Sequence, residues 1–185
     1  MSLEELLLLL HIVSAIIWLG AGFLLAVQIL RAELAGDMES EGRYHQEVPA
    51  LAPILFIPAS MATMIFGLLL VAEGSWSFEQ LWVTVGLVGW LVSFGLGFFY
   101  FRPEGERIGA LVEEHGPMYG EVQMRIRRLN AVDRIQVAIL FLVVADMVLK
   151  PTGDDVGMLI VGAAILVAVA AVAFAYARRR SVAPA

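Results

Sequence analysis

Residues 6–30 read LLLLLHIVSAIIWLGAGFLLAVQIL, and His11 and Gln28 are the only strongly polar side chains in this run. A helix rises about 1.5 Å per residue, so the run is long enough to cross a hydrocarbon core of roughly 30 Å. Lipid cannot satisfy an open strand edge, so the run is expected to be helical. Glu4 and Glu5 stand where a cleavable signal peptide carries basic residues. We therefore expect the run to remain as the first membrane helix.

Four further apolar blocks follow the first one. They predict an all-α fold, a polytopic transmembrane helical bundle with a four-helix core plus a fifth helix, in one membrane domain covering 1–185. The segment at about 103–129 has apolar residues near helical spacing, with Glu and Arg between them. It predicts a cytoplasmic amphipathic segment of two short helices, broken at Gly116-Pro117. The five transmembrane helices are predicted at about 3–30, 49–71, 81–101, 132–149 and 156–177.

The basic residues decide the predicted orientation. If the N-terminus is outside, eleven arginines lie on the inner side and only Lys150 lies on the outer side. The positive-inside rule then places the C-terminus in the cytoplasm, and it favours five crossings over four. The chain is expected in the bacterial inner (cytoplasmic) membrane.

Composition excludes several functional classes. The chain is 60% hydrophobic and 16% charged, well away from the balance of a soluble domain. It has no cysteine, which excludes disulfides, Cys-zinc sites and thiolate haem ligation. The few arginines lie in short loops, so no nucleic-acid partner is expected. The phosphate-binding, zinc-protease and nucleophile-elbow motifs are absent from the sequence.

His11 is the ionisable residue predicted deepest in the membrane, and such residues are candidates for function. One helical face runs from it through Ser14 or Ala15 and Trp18 to Gly22. Such small residues let a flat ligand lie close to the helix. They are also common where membrane helices pack together, and His11 would then donate to a carbonyl of another helix. The spacing leaves both interpretations open.

Helix directions predict which groups share a depth with His11. Met61, Met64, Met147 and Lys150 are all expected in the same, outer leaflet. Met61 and Met64 follow Pro53 and Pro58, which are expected to bend the second helix. The methionines are soft ligands for copper, but they are equally ordinary core residues.

The other two histidines are predicted on the cytoplasmic side. His45 is expected to be an interfacial residue, more than roughly 20 Å from His11 along the membrane normal, so the pair would not bridge one haem. His115 is expected on a solvated helix beside Glu113 and Glu114. Asp133 and Arg134, at the inner mouth of the fourth helix, are expected to find partners on neighbouring helices or lipid headgroups.

Three stretches together resemble a known superfamily. His11-Ile-Val followed by Trp18-Leu-Gly20 resembles the first helix of CopD-type copper-resistance membrane proteins and HemJ-type protoporphyrinogen oxidases. Residues 58–67, PASMATMIFG, resemble the second helix of the HemJ group. Residues 128–130, RLN, and the later Met147-Val-Leu-Lys150-Pro151 resemble the last core helix of both groups.

The resemblance implies a four-helix core with a haem b or copper site. It implies His11 as the haem ligand and matches Lys150 to the lysine before the terminal proline. Two departures stand out. Ala131 follows Asn130 where the HemJ group has Glu, and Tyr100-Phe-Arg102 replaces an expected aromatic-His pair. They weaken the case for porphyrinogen oxidation more than the case for haem binding.

Three functions follow as hypotheses. The first is a haem b protein with a redox or electron-transfer role, such as a haem-dependent oxidoreductase, in which His11 is the axial ligand, Met64, Met147 or Lys150 lies opposite and Trp18 lines the ring. The second is a CopD-like copper-binding or transport protein, with His11, Met61, Met64 and Met147 as ligands. The third is a cofactor-free accessory subunit.

The expected partners follow from the same sequence. They are the lipid bilayer and either a homodimer or a membrane redox partner. Small-residue faces such as Gly95 with Gly97, and Gly162 with Ala163, permit a dimer. They permit packing within one chain equally well.

Overall fold

The computed structural model describes residues 2–74 and 76–182, and it describes side chains as far as Arg178. The described residues form helices joined by turns and short loops, which confirms the all-α polytopic bundle. Seven α-helices are described in chain order: α1 Leu3–Ala35, α2 Met38–Leu51, α3 Ile57–Glu73, α4 Leu81–Leu96, α5 Arg102–His115, α6 Gly120–Leu149 and α7 Val156–Val182.

Two π-helical turns join helices end to end. The first, Ala52–Phe56, connects α2 to α3, and the second, Gly97–Phe101, connects α4 to α5. Pro53 lies inside the first turn and Pro58 follows it. Each proline removes an N–H that a regular helix would use, which favours a local break in the α pattern at this point.

Capping residues and residues with positive φ mark several of the helix ends. The Ser2 hydroxyl accepts from the Glu5 backbone N–H, and the Glu5 carboxylate accepts from the Ser2 N–H, which forms a capping box on α1. Gly36 and Gly116 end α1 and α5 with positive φ values of 69° and 82°. Lys150 ends α6 at φ 49°, which is unusual for a side chain other than glycine.

Four described helical spans are long and apolar enough to cross a membrane: Leu3–Ala35, Met38–Glu73, Leu81–His115 and Val156–Arg178. The 30-residue helix α6 is long enough, but Asp133, Arg134 and Asp146 lie in its apolar part. It packs against α1, α4 and α7. Large apolar side chains such as Phe99 and Val148, 79% and 74% exposed, face outward, as expected for a surface in contact with lipid.

The two ends of the bundle have separate apolar cores. At the Trp76 end, Val71, Trp82 and Val83 are buried together, with Trp76 and Met147 packed against them. At the opposite end, called the Glu41 end, Ile108, Val122, Ile126 and Leu129 form a second core between α5 and α6. The predicted amphipathic segment thus takes the form of α5 and the first turns of α6, packed into this core. Between the two ends lie the positions with functional interest.

Candidate functional site

His11 is held against α3 by a backbone contact. Its Nδ1 atom lies 2.8 Å from the carbonyl oxygen of Thr63, so Nδ1 carries the hydrogen and donates it. A Cβ at Gly67 would lie 3.0 Å from His11 Cε1, so glycine makes room for the ring. This contact is typical of a histidine that packs two helices together. Because Nδ1 carries the hydrogen of the neutral ring, Nε2 has a lone pair. Histidines that bind metals are commonly oriented through their other nitrogen in the same way.

The small-residue face of α1 packs on the first π turn and α3. Ser14 is buried, its hydroxyl donates to the His11 carbonyl at 3.0 Å, and it accepts from the Thr63 hydroxyl at 3.1 Å. A Cβ at Gly22 would lie 3.9 Å from Phe56. The face that could have carried a flat macrocycle is therefore covered by protein at Ser14, whereas Trp18 and Gly22 line a cavity.

The predicted sulfur ligands lie on two different helices. Met61 and Met64 are on α3, where Met61 is 36% exposed and Met64 is half-buried. Met147 is on α6, where it packs into the core at the Trp76 end and faces Gly86.

Lys150 lies in an aromatic pair at the Trp76 end. Its Nζ is 4.5 Å from the centre of the Trp76 ring and 4.9 Å from that of Trp82. The two indoles meet edge to face at 5.5 Å. Attraction between the ammonium and the ring faces stabilises this arrangement. One turn earlier, the buried Oδ2 of Asp146 has no hydrogen-bond partner.

The five residues predicted as one site come from α1, α3 and the C-terminal end of α6. His11 lies between α1 and α3 with Met64 on the adjacent helix, Met147 and Lys150 lie beside Trp82, and Trp18 lines a cavity towards the Glu41 end. Among the described residues, no group of three or more His, Asp or Glu side chains could hold a metal ion.

That cavity has a volume of about 140 Å³ and is bordered by both π turns. Its walls come from every helix except α7. Aromatic residues form a large part of them. Trp90 and Phe94 stack at 4.9 Å, and Phe94 and Phe98 at 6.4 Å. The aromatic side chains that line the cavity are Trp18, Phe23, Phe56, Phe94, Phe98 and Phe101.

Two residues in the cavity wall each have a buried polar atom with unmet hydrogen-bonding capacity. Ser93 is 1% exposed, and its hydroxyl has no partner. The Oε1 atom of Gln136 is buried and also has none. Both residues line the cavity, together with Asp133. A buried polar group without a partner costs about 1–3 kcal/mol, so this pair requires an explanation.

His45 also lines the cavity and is buried in the bundle, while the interfacial depth expected from the sequence stays a prediction. It is 2% exposed, and its Nε2–H donates to Asn130 Oδ1 at 2.8 Å. The Asn130 amide then donates to the buried Glu41 carboxylate at 2.6 Å. Because Nε2 carries the hydrogen, the Nδ1 atom of neutral His45 has a lone pair.

The sequence contained one signal for this region. Asn130, Asp133 and Gln136 recur every three residues at the start of the apolar part of α6. Arg134 forms an ion pair with the buried Glu33 of α1, which confirms the expected partner on a neighbouring helix. The partners Glu41 and His45 are 89 and 85 residues away from Asn130, so spacing could not reveal them.

Comparison with known proteins gives the family but no activity. Residues 5–151 match the family described as "Predicted integral membrane protein (DUF2269)", and the chain belongs to that family. The matched region ends just after Lys150, so it includes α1 to α6 and leaves out α7. The chain has no significant match among curated proteins or solved structures.

Proposed function

We propose that this DUF2269 family member binds the ring of a small amphipathic molecule, of the quinol or quinone type, in the cavity between the two π turns. The observation that carries the proposal is a pair of residues in the wall of one cavity, Ser93 and Gln136, each with a buried polar atom, Oγ and Oε1, that has no hydrogen-bond partner. A bound polar ligand would satisfy both atoms.

Cavity size supports a single ring. An apolar protein cavity of roughly 150 Å³ can hold benzene. The volume of about 140 Å³ is close to that value. The aromatic walls suit a flat ring, and a lipid-soluble tail could leave between the helices into the bilayer.

The polar groups support a ligand that both donates and accepts hydrogen bonds. Gln136 Oε1 is an acceptor only, and the Ser93 hydroxyl can donate. Neutral His45 offers the Nδ1 lone pair, and its Asn130 and Glu41 partners stabilise it as an acceptor. A quinol hydroxyl can donate to Gln136 or His45, and a quinone carbonyl can accept from Ser93. A redox role, as expected from the sequence, is consistent with this ligand class.

Gln136→Leu separates ligand binding from a structural role. Leucine has a similar size and no polar atoms, so the variant is expected to be at least as stable as the natural protein without ligand. The same change is expected to weaken binding of a short-chain benzoquinone about three- to tenfold, because one hydrogen bond is lost. Calorimetric titration of the detergent-purified protein measures the affinity, and thermal unfolding measures the stability.

Gln46→Leu is the matched control, since Gln46 is an exposed glutamine on α2. Ser93→Ala is expected to weaken binding in the same way as Gln136→Leu. Equal affinities in all four proteins, or no saturable binding to the natural protein, would overturn the proposal.

A second candidate is a haem b or copper site at His11, as the resemblance to CopD-type and HemJ-type proteins implies. The supporting observation is the Thr63 carbonyl, which fixes the tautomer that leaves Nε2 bare for a ligand. A haem lying along Ser14 does not fit, because this residue packs on α3. A cofactor that approaches from outside the α1–α3 pair could bind the Nε2 atom of His11. For copper, Met64 on the adjacent helix could supply a sulfur ligand.

Absorption spectra and metal analysis test this candidate. Protein expressed with haem and copper supplied is expected to show a Soret band, or copper at about one per chain, that is lost in His11→Ala. His115→Ala is the control, since His115 is at the end of α5 and away from this pair. If neither a Soret band nor copper is found, His11 has a helix-packing role without a cofactor.

A further inference from the structure

A second cavity opens at the Glu41 end of the bundle. It has a volume of about 730 Å³ and lies between α4 with its π turn, α6 and α7. We name it the arginine cleft. Arg127 and Arg128 enter it from α6, and Arg178 enters it from α7, where the two helices meet. The other lining residues are Leu96, Tyr100, Met124, Val132, Phe174 and Ala177.

The lining has a strong positive charge. Three of the nine described lining residues are arginines, and none of those nine is acidic. The nearby carboxylates of Glu104 and Glu121 are bound to Arg125 at 2.7 and 2.8 Å. These hydrogen bonds, first the one to Glu104, raise the pKa of the Arg125 guanidinium. Glu104 and Glu121 are therefore engaged beside the cleft by Arg125.

The cleft changes from charged to apolar along the helix axis. Arg128 and Val132 are one turn apart on α6, so the guanidinium groups give way to apolar wall within about 6 Å. Leu96 and Phe174 continue that apolar wall on α4 and α7. This order matches the boundary between the headgroups and the acyl chains of a bilayer. Basic pockets between membrane helices on the cytoplasmic side are typical sites for acidic lipid headgroups.

We propose that the arginine cleft binds one anionic phospholipid. The phosphate group contacts Arg127, Arg128 and Arg178, and the acyl chains lie along Leu96, Val132 and Phe174. Helix α7 packs chiefly on α6, and the cleft separates it from α4. A lipid in this position bridges α7 to the rest of the bundle. The inference is independent of the ligand in the aromatic cavity, because the two sites share no described lining residue.

Native mass spectrometry of delipidated protein tests the proposal. Phosphatidylglycerol and phosphatidylcholine with the same acyl chains are added in turn to the full chain in detergent. One phosphatidylglycerol is expected to bind at least tenfold more tightly than phosphatidylcholine. An arginine near an anionic headgroup contributes about fivefold in affinity, so Arg127→Gln with Arg128→Gln is expected to lose about twenty-five-fold. Arg178→Gln, on the other helix, is expected to lose about fivefold.

The matched control is Arg43→Gln with Arg107→Gln, which removes the same charge from exposed positions on α2 and α5. It is expected to leave the affinity unchanged. Equal binding of the two lipids, or an equal loss in the control, would overturn the proposal. Displacement of the lipid by an excess of inorganic phosphate would also overturn it, since the site would then recognise a soluble anion. Melting curves without lipid identify any variant that fails to fold.

Discussion

At the residue scale, the molecule uses its buried polar groups in two different ways. Around His11, donors and acceptors are paired between α1 and α3: the ring donates to Thr63, and Ser14 accepts from the Thr63 hydroxyl. Around the aromatic cavity, the Ser93 hydroxyl and the Gln136 Oε1 atom are left without partners. Buried polar groups that are hydrogen-bonded to each other stabilise a contact between helices. Buried polar groups without partners are typical of a site in which a ligand or water supplies the missing hydrogen bonds.

Gly67→Val tests the packing role of His11. A Cβ added at Gly67 would lie 3.0–3.2 Å from atoms of the imidazole, so a branched side chain is expected to displace the ring from the Thr63 carbonyl. Such overpacking is expected to lower the free energy of unfolding by about 1–3 kcal/mol. Reversible unfolding in mixed micelles measures the change. Gly95→Val is the control, because a Cβ at Gly95 meets nothing within 4 Å. Equal effects of the two changes would argue against close packing at His11.

At the scale of the elements, the two π turns set how each helix is rotated relative to the next. A π turn adds residues to a helical turn, so the helix after it presents a different face. After the turn at Gly97–Phe101, Ile108 of α5 points into the core with Val122 and Ile126. Gly105 likewise faces Pro49 of α2, where a Cβ would lie 2.9 Å from the Pro49 ring.

Deletion of Gly97 is expected to turn the π segment into α-helix. It would rotate α5 by about 100° relative to α4 and take Ile108 out of its core. The loss of a fully buried isoleucine contact costs several kcal/mol, about 2–5. Chemical unfolding monitored by circular dichroism measures the loss. Deletion of Gly153, in the loop before α7, is the control and is expected to be tolerated. Similar stability of both deletions would show that the π turn does not set the rotation.

Sequence reasoning predicted the elements better than the site. Long apolar blocks are local, so hydropathy located them, and the break at Gly116 follows from its positive φ. The second transmembrane helix was predicted from about residue 49, whereas helix α2 already begins at Met38. It forms because Asp37 caps it and because it leads through a π turn into α3. The burial of His45 was not predicted, because its partners Asn130 and Glu41 are remote in sequence. Residues from six helices line the aromatic cavity. The periodic pattern of one helix does not show which other helices pack beside it, so the cavity could not be predicted from the sequence.

At the scale of the whole molecule, α6 decides the number of crossings. Its first part meets Glu41 through Asn130, and its last residues pack with Trp82 through Met147. These residues are 17 positions apart, or about 25 Å along a helix. Helix α6 therefore extends from one core to the other, beside α4 and α7. Four other described spans are long and apolar enough to cross a membrane, so the predicted five crossings require α6, with three charged residues in its apolar part, to be the fifth.

Single cysteines test this topology, since the chain has none of its own. Ser77→Cys and Asp154→Cys, on either side of α4 to α6, are expected to react with a membrane-impermeant maleimide in intact cells. Glu114→Cys is expected to react only after the membrane is permeabilised, because the arginine distribution predicts that this end is cytoplasmic. Reaction of Ser77→Cys without Asp154→Cys would indicate four crossings.

The tryptophans lie in two different parts of the bundle, so their intrinsic fluorescence can report on each part separately. Trp76 and Trp82 stand around an ammonium at one end. Trp18 lines the aromatic cavity, and Trp90 donates to Ser60 in its wall. Emission from the first pair reports on the polarity of one membrane surface, whereas Trp18 and Trp90 report on the interior. A quinone entering the cavity would quench the second pair and spare the first, so occupancy could be followed by light without any label.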